Sequence, residues 1–155
     1  MATPNSVFDE FLTDYARVFR YMNEKITGPL SAYHLTFDTF IIMHEIGTSS
    51  QPPLLMDIAH AHRVSRSAIS RQISILLKYH YVYQESNPND RRQKSLRLTD
   101  QGQSIDRDLM QNLQVIFQEW VDQLGKRRVN TLLAVLGDFN RKIITPNYEQ
   151  TNKLQ

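Results

Sequence analysis

The chain has no cysteine in its 155 residues. Disulfides, thiolate metal sites and thiol redox sensing are therefore excluded, and a reducing compartment is permitted. Glycine is nearly as scarce, at 5 residues. No segment reads as a phosphate-cradling glycine loop or as a G-x-S-x-G nucleophile elbow. No carboxylate pair stands out in an apolar setting, so neither an enzyme nor a cofactor is expected. No apolar run approaches the ~18–20 residues needed to cross a bilayer. The opening "MATPNSVFDEFLTDYARVF" lacks the basic start and continuous apolar run of a signal peptide. The expectation is a soluble, cytoplasmic protein with no membrane partner.

What is present is globular: 41% hydrophobic and 22% charged residues. The length fits a single domain over 1–155. Net charge is only +2, but it is unevenly placed. Between Arg63 and Arg97 lie eight basic residues and two acids, a net of +6, which leaves −4 for the remainder. A basic centre between acidic ends points to a polyanion partner, against the plainer reading of a solvated basic face.

Helical periodicity in Val7, Phe8, Phe11, Leu12, Tyr15, Val18, Phe19, Met22 and Ile26 predicts a long amphipathic helix to about Thr27, ended by Gly28-Pro29. Thr36 is placed to cap a second, largely buried helix that stops near Gly47. The prolines of "TSSQPP" forbid helix and suit a short edge strand at Leu54-Leu55. A short helix from about Met56 to His62 is followed by another capped by Ser65, with Ala68, Ile69, Ile73, Leu76 and Leu77 inward. "YVYQES", "NPNDRRQK" and "SLRLT" read as a hairpin with a basic tip. Thr99 caps a long helix, Gly125 interrupts it, and a last helix ends just before Pro146, leaving a frayed polar tail.

The stretch "DIAHAHRVSRSAISRQ" concentrates reactive side chains. Asp57, His60 and His62 invite a metal reading. On a helix, however, Asp57 and His60 share a face whereas His62 points elsewhere. The alternative is a helix-turn-helix whose second helix shows Ser67, Ser70, Arg71, Ser74 and Lys78 outward. Small hydroxyl residues permit close approach to a major groove, and arginine offers a fork matched to guanine or phosphate. The hairpin tip, with Arg91, Arg92 and Lys94, is suited to a neighbouring minor groove, with Asp90 orienting an arginine.

With "DIAHAHRVSRSAISRQISILLKYHYV" and "NPNDRRQKSLRLTDQG", the chain resembles the winged-helix transcriptional regulators of the MarR type (multiple antibiotic resistance regulators) from about Phe8 to Ile144. The second stretch is similar to the family's wing signature, which ends in Leu-Thr-x-x-Gly, here Leu98, Thr99 and Gly102. The resemblance implies a mostly α, α+β winged-helix fold. It implies a winged helix-turn-helix lobe at 54–98 and dimerisation helices at 7–30 and 104–145. It places DNA contacts at Ser65, Arg66, Ser67, Ser70, Arg71 and Gln72, and in the wing at Asp90 and Arg92, to which the basic hairpin tip adds Arg91 and Lys94. Arg92 then enters the minor groove with Asp90 holding it. Two positions depart from the family pattern. Arg63 and His80 stand where the family usually has glycine, and both positions call for φ > 0. Arg63 is also a candidate phosphate contact.

The resulting expectation is a homodimeric, sequence-specific regulator of double-stranded DNA. It acts as a repressor on a pseudo-palindromic operator and is relieved by a small apolar or phenolic effector. Tyr15, Tyr33, His34 and Phe37 are candidate effector-pocket residues, set against ordinary core and dimer packing. His44 reads as a satisfied core histidine. A metal-responsive regulator of the same fold and a winged-helix protein-interaction module remain alternatives.

Overall fold

The computed structural model describes residues 4–86, 90 and 93–152. Its elements run α1 (Pro4–Ser31), α2 (Phe37–Thr48), α3 (Leu55–His62), α4 (Arg66–Lys78), β1 (Val82–Ser86), β2 (Lys94–Leu98), α5 (Asp100–Leu124), α6 (Lys126–Phe139), a π-helical turn (Asn140–Ile144) and α7 (Thr145–Asn152). The chain is thus mostly α with one two-stranded antiparallel hairpin, as expected. Val82 pairs with Leu98 and Ser86 with Lys94.

One hydrophobic core joins these elements. Leu30 and Leu35 meet Phe40, Met43 and Ile46 of α2, Ile58 of α3, and Ile69, Ile73 and Leu76 of α4. Val82, Leu96 and Leu98 of the hairpin and Ile105 and Leu109 of α5 complete it. This cluster is what holds the outer face of α4 in place. Each fully buried aliphatic side chain contributes about 1.5–3 kcal/mol of transfer free energy.

Helix starts follow the caps read from sequence. The side-chain oxygens of Thr36, Ser65 and Thr99 accept from the backbone N–H of Thr39, Ala68 and Gly102. The start of α3, which offers no hydroxyl, is closed instead by Asp57, whose carboxylate accepts from the Leu54 N–H at 3.0 Å.

Helix ends differ from expectation. α1 runs through Gly28-Pro29 to Ser31 rather than stopping at Thr27. Pro29 falls in the last turn, where it removes one hydrogen bond, and Gly28 has no Cβ to strike the proline ring. Gly47 lies inside α2, whose last turn is closed by the Ser49 N–H to the Glu45 carbonyl. The expected strand at Leu54-Leu55 reduces to a single bridge, Leu54 to Ser95. Pro146 does not end the last helix either. The π turn passes the Thr145 N–H to the Asn140 carbonyl, five residues back, and this wider turn accommodates the proline ring, so helix continues to Asn152.

Three helices end on a non-glycine residue in the left-handed region: His34 (φ 57°), Arg63 (φ 54°) and His80 (φ 58°). Each closes a paired capping pattern. Leu35 and His34 donate to Leu30 and Ser31, Val64 and Arg63 to Ala59 and His60, and Tyr81 and His80 to Leu76 and Leu77, all at 2.9–3.2 Å. Positive φ at Arg63 and His80 was the expectation from the family's glycines; His34 is a third case.

Candidate nucleic-acid interface

α3, the Arg63–Val64 turn and α4 form the helix-turn-helix. Ile58 and Ala59 of α3 face Ile69, Ile73 and Leu76 of α4. With that side committed to the core, Ser65, Arg66, Ser67, Arg71, Ser74 and Lys78 are exposed and Ser70 is half-buried. Helical phase therefore gathers the predicted Ser/Arg set on one outward face. Ser65 and Ser67 hydroxyls lie 3.0 Å apart at its N-terminal end. Arg66 and Arg71 have no ion-pair partner among the described residues, so both charges remain available to a polyanion. Gln72 is placed differently. It is half-buried, and its amide oxygen accepts a hydrogen bond from the buried Thr39 hydroxyl of α2. That bond ties α4 to α2 behind it. Helical spacing is consistent with this, since Gln72 lies three residues after Ile69 and four before Leu76; what spacing does not give is the partner, 33 residues away.

The hairpin is fixed to this unit at its base. The Thr99 hydroxyl donates to the His80 carbonyl at 2.7 Å, and the Thr99 N–H donates to the Tyr81 carbonyl at 3.0 Å. Gly102 packs against that same carbonyl so tightly that a Cβ there would lie 2.0 Å from the oxygen. This is the physical content of the Leu-Thr-x-x-Gly pattern: a cap and a bare backbone joining the hairpin, the end of α4 and α5. Along the strands, Arg97 is taken up by Glu85 at 2.7 Å, and this bond holds its pKa above the usual arginine value. Lys94 is exposed at the start of β2, and the Asp90 carbonyl accepts from the Gln93 N–H. Arg91 and Arg92 lie outside the described residues.

The metal reading finds no support in the geometry. Asp57 caps α3, His60 is exposed, and His62 pairs with Glu45 of α2 through its Nε2. Among the described residues, no three His, Cys, Asp or Glu side chains gather as a metal cluster. His44 is satisfied, its Nδ1 lying 3.0 Å from the Asp106 carboxylate.

Of the four effector candidates, Tyr15 lies on α1 and Tyr33, His34 and Phe37 fall at the α1–α2 junction. Tyr15 stacks between Phe11 and Phe19 along exposed α1, at 5.8 Å from each. The Tyr33 carbonyl accepts from the Tyr81 hydroxyl at 3.2 Å, His34 stacks on Tyr79 at 4.7 Å, and Phe37 is exposed. Burial pushes the Tyr81 phenol up, with Tyr79 and Tyr33 adding to the effect. An open groove of about 740 Å³ lies elsewhere, between His44 and Gly47 of α2, Leu98, and Asp106 and Met110 of α5. None of the four candidates lines it.

Residues 35–102 match the family model described as a winged helix DNA-binding domain. Over that stretch the chain is similar to winged helix DNA-binding domains. The match covers α2 to the first turn of α5, including every described residue of the Ser/Arg face and the wing base. An uncharacterized HTH-type transcriptional regulator of Staphylococcus aureus (strain MRSA252) is 26% identical over 98 residues. That match spans 62% of this chain and 65% of the relative's length. Beyond the domain, the fold as a whole is that of the MarR-type regulators. Staphylococcus aureus MarR in complex with salicylate and kanamycin superposes with a TM-score of 0.75 at 18% identity, covering 90% of this chain and 93% of that one. A MarR variant from E. coli complexed with operator DNA gives 0.71 at 21% identity, over 88% and 98%. The S. aureus MepR–DNA complex gives 0.70 at 19% identity, over 83% and 98%.

Proposed function

We propose that this protein is a homodimeric, cytoplasmic transcriptional regulator that binds a pseudo-palindromic double-stranded operator as a repressor and is released by a small apolar or phenolic effector. The observation that carries the reading is the two-sidedness of α4. Its inner face is locked into the core, while Ser65, Ser67, Ser70, Arg66 and Arg71 are left on an outer face with two uncommitted cations. Such a helix is suited to the major groove, with phosphate contacts supplying affinity and base-edge contacts supplying specificity. Arg91, Arg92 and Lys94 of the wing would reach the adjacent minor groove, with Asp90 orienting Arg92. Structural neighbours bound to operator DNA and to salicylate support the partner classes.

Dimerisation is supported by apolar faces that this chain alone leaves uncovered. Phe8, Phe11, Val18 and Phe19 on α1 and Leu132, Leu133, Leu136 and Phe139 on α6 are 50–59% exposed. Exposed apolar faces of that extent mark an interface, and a second copy covers them by symmetry. Recognition helices one DNA turn apart, about 34–36 Å, then match a two-fold operator.

Selection of duplexes from a random-sequence pool followed by a gel-shift salt titration tests the reading. The wild type should enrich a two-fold site and bind it with a steep salt slope. Arg71→Ala should either weaken binding to all sequences with a slope reduced by about 1, or relax one base position by about 1–3 kcal/mol. An Arg71→Ala profile identical to wild type removes α4 from the DNA face. Failure to select any duplex rejects the function and leaves the protein-interaction module as the reading to pursue.

A further inference from the structure

Arg63 is the conspicuous outlier of the helix-turn-helix. Histidine tolerates the left-handed region better than most side chains; arginine has no such excuse. The position would accept glycine without strain, so a bulky cation there calls for a use of its side chain. Its guanidinium does not project freely. Nη2 donates to the Thr145 hydroxyl at 2.8 Å, and Cζ stands 5.5 Å from the centre of the Tyr148 ring. Thr145 and Tyr148 are three apart on α7 and so share a face. The contact spans 82 residues. One end lies two residues before the Ser65 cap of the recognition helix. The other lies on the helical rod whose earlier part, α6, carries the uncovered apolar residues Leu132, Leu133 and Leu136.

We infer that Arg63 is a positioning residue that straps the C-terminal helix to the helix-turn-helix turn and thereby fixes the recognition helix relative to the dimer framework. The inference rests on the DNA-binding reading above for its consequence, but not for the strap itself. Both partners are neutral and partly exposed, so the strap is reversible and its loss costs a modest factor rather than the fold. It also competes with phosphate. While the guanidinium is held by Thr145 and Tyr148, it is not a phosphate contact.

The test uses the full chain in two arms. In the first, without DNA, amide hydrogen exchange is followed in α7 for wild type, Arg63→Gly, Tyr148→Ala and Tyr148→Phe. Glycine fits φ 54° without a Cβ, so Arg63→Gly keeps the turn while deleting the strap. Exchange in α7 should quicken roughly threefold to tenfold in Arg63→Gly and Tyr148→Ala and stay unchanged in Tyr148→Phe, which keeps the ring. Unchanged exchange in Arg63→Gly overturns the strap. In the second arm, affinity is measured for a duplex selected from a random pool. Arg63→Gly and Tyr148→Ala should each lose roughly threefold to tenfold, and the double variant no more than the larger single loss. If Arg63→Gly lowers the salt slope by about 1 while Tyr148→Ala leaves affinity intact, Arg63 is a phosphate contact and the inference fails. If wild type selects no duplex, the DNA-binding reading fails, and the exchange arm still decides the strap.

Discussion

Gly102→Ala should destabilise the protein even though it replaces a poor helix former with the best one. The residue lies in the first turn of α5, where alanine is favoured by about 1 kcal/mol on helix propensity alone. The added Cβ, however, would lie 2.0 Å from the Tyr81 carbonyl oxygen and 2.9 Å from the Tyr81 carbonyl carbon. Both obstacles are backbone, so the start of α5 must withdraw by about 1 Å, and overpacking of this kind costs about 1–3 kcal/mol. The same movement strains the Thr99 bonds to the His80 carbonyl (2.7 Å), to the Tyr81 carbonyl (3.0 Å) and from the Gly102 N–H (3.0 Å). Each such bond contributes about 0.5–1.5 kcal/mol. After the propensity gain is offset, a net loss of about 2–4 kcal/mol remains, a fall in melting temperature of roughly 5–15 °C. Circular-dichroism melts at matched protein concentration measure it, because the melting point of the proposed dimer would depend on concentration. A Gly102→Ala protein that melts at or above the wild-type temperature would refute the close-approach argument.

His80→Gly should raise stability by about 0.5–1 kcal/mol. It removes the Cβ strain of a left-handed residue (φ 58°) and gives back part of that gain through the freer unfolded chain. Urea unfolding reads the change, and a loss of stability would show that the imidazole itself holds the α4–β1 turn. Alkaline stability should depend on Tyr81. Burial raises its pKa in the folded state, and its hydroxyl donates to the Tyr33 carbonyl. Below the unfolded tyrosine value of about 10, both states keep the proton and nothing is lost. Above it, the unfolded chain gives up the proton while the folded chain retains it, so stability falls until the folded value is passed. Tyr81→Phe should flatten that part of a stability-versus-pH curve; an unaltered slope assigns the alkaline loss to other groups.

The local chemistry of this protein is legible in its sequence, and its long-range pairings are not. Thr36, Ser65 and Thr99 announce helix starts because a cap is a matter of three residues. The outer face of α4 is legible because helical phase alone separates Ser67 and Arg71 from Ile69 and Ile73. Gln72, three residues after Ile69 and four before Leu76, falls toward the inward side of that phase, but its partner 33 residues away is not legible. Pro29 and Pro146 misled for a related reason: proline penalises one hydrogen bond locally, but a last-turn position and a π turn absorb the cost.

The scarcity of glycine connects these observations. Arg63 and His80 occupy left-handed positions flanking the two ends of α4, where glycine would be cheaper for the backbone. They are not equivalent. At His80 the joint to α5 is made by its carbonyl, which accepts from Thr99, so any residue that tolerates the angle supplies it. At Arg63 the joint to α7 is made by the guanidinium, which glycine lacks. The same substitution to glycine should therefore act in different ways at two sites with nearly identical dihedral angles. At His80 it relieves strain and disturbs no side-chain bond among the described residues; at Arg63 it relieves the same strain and releases the C-terminal helix.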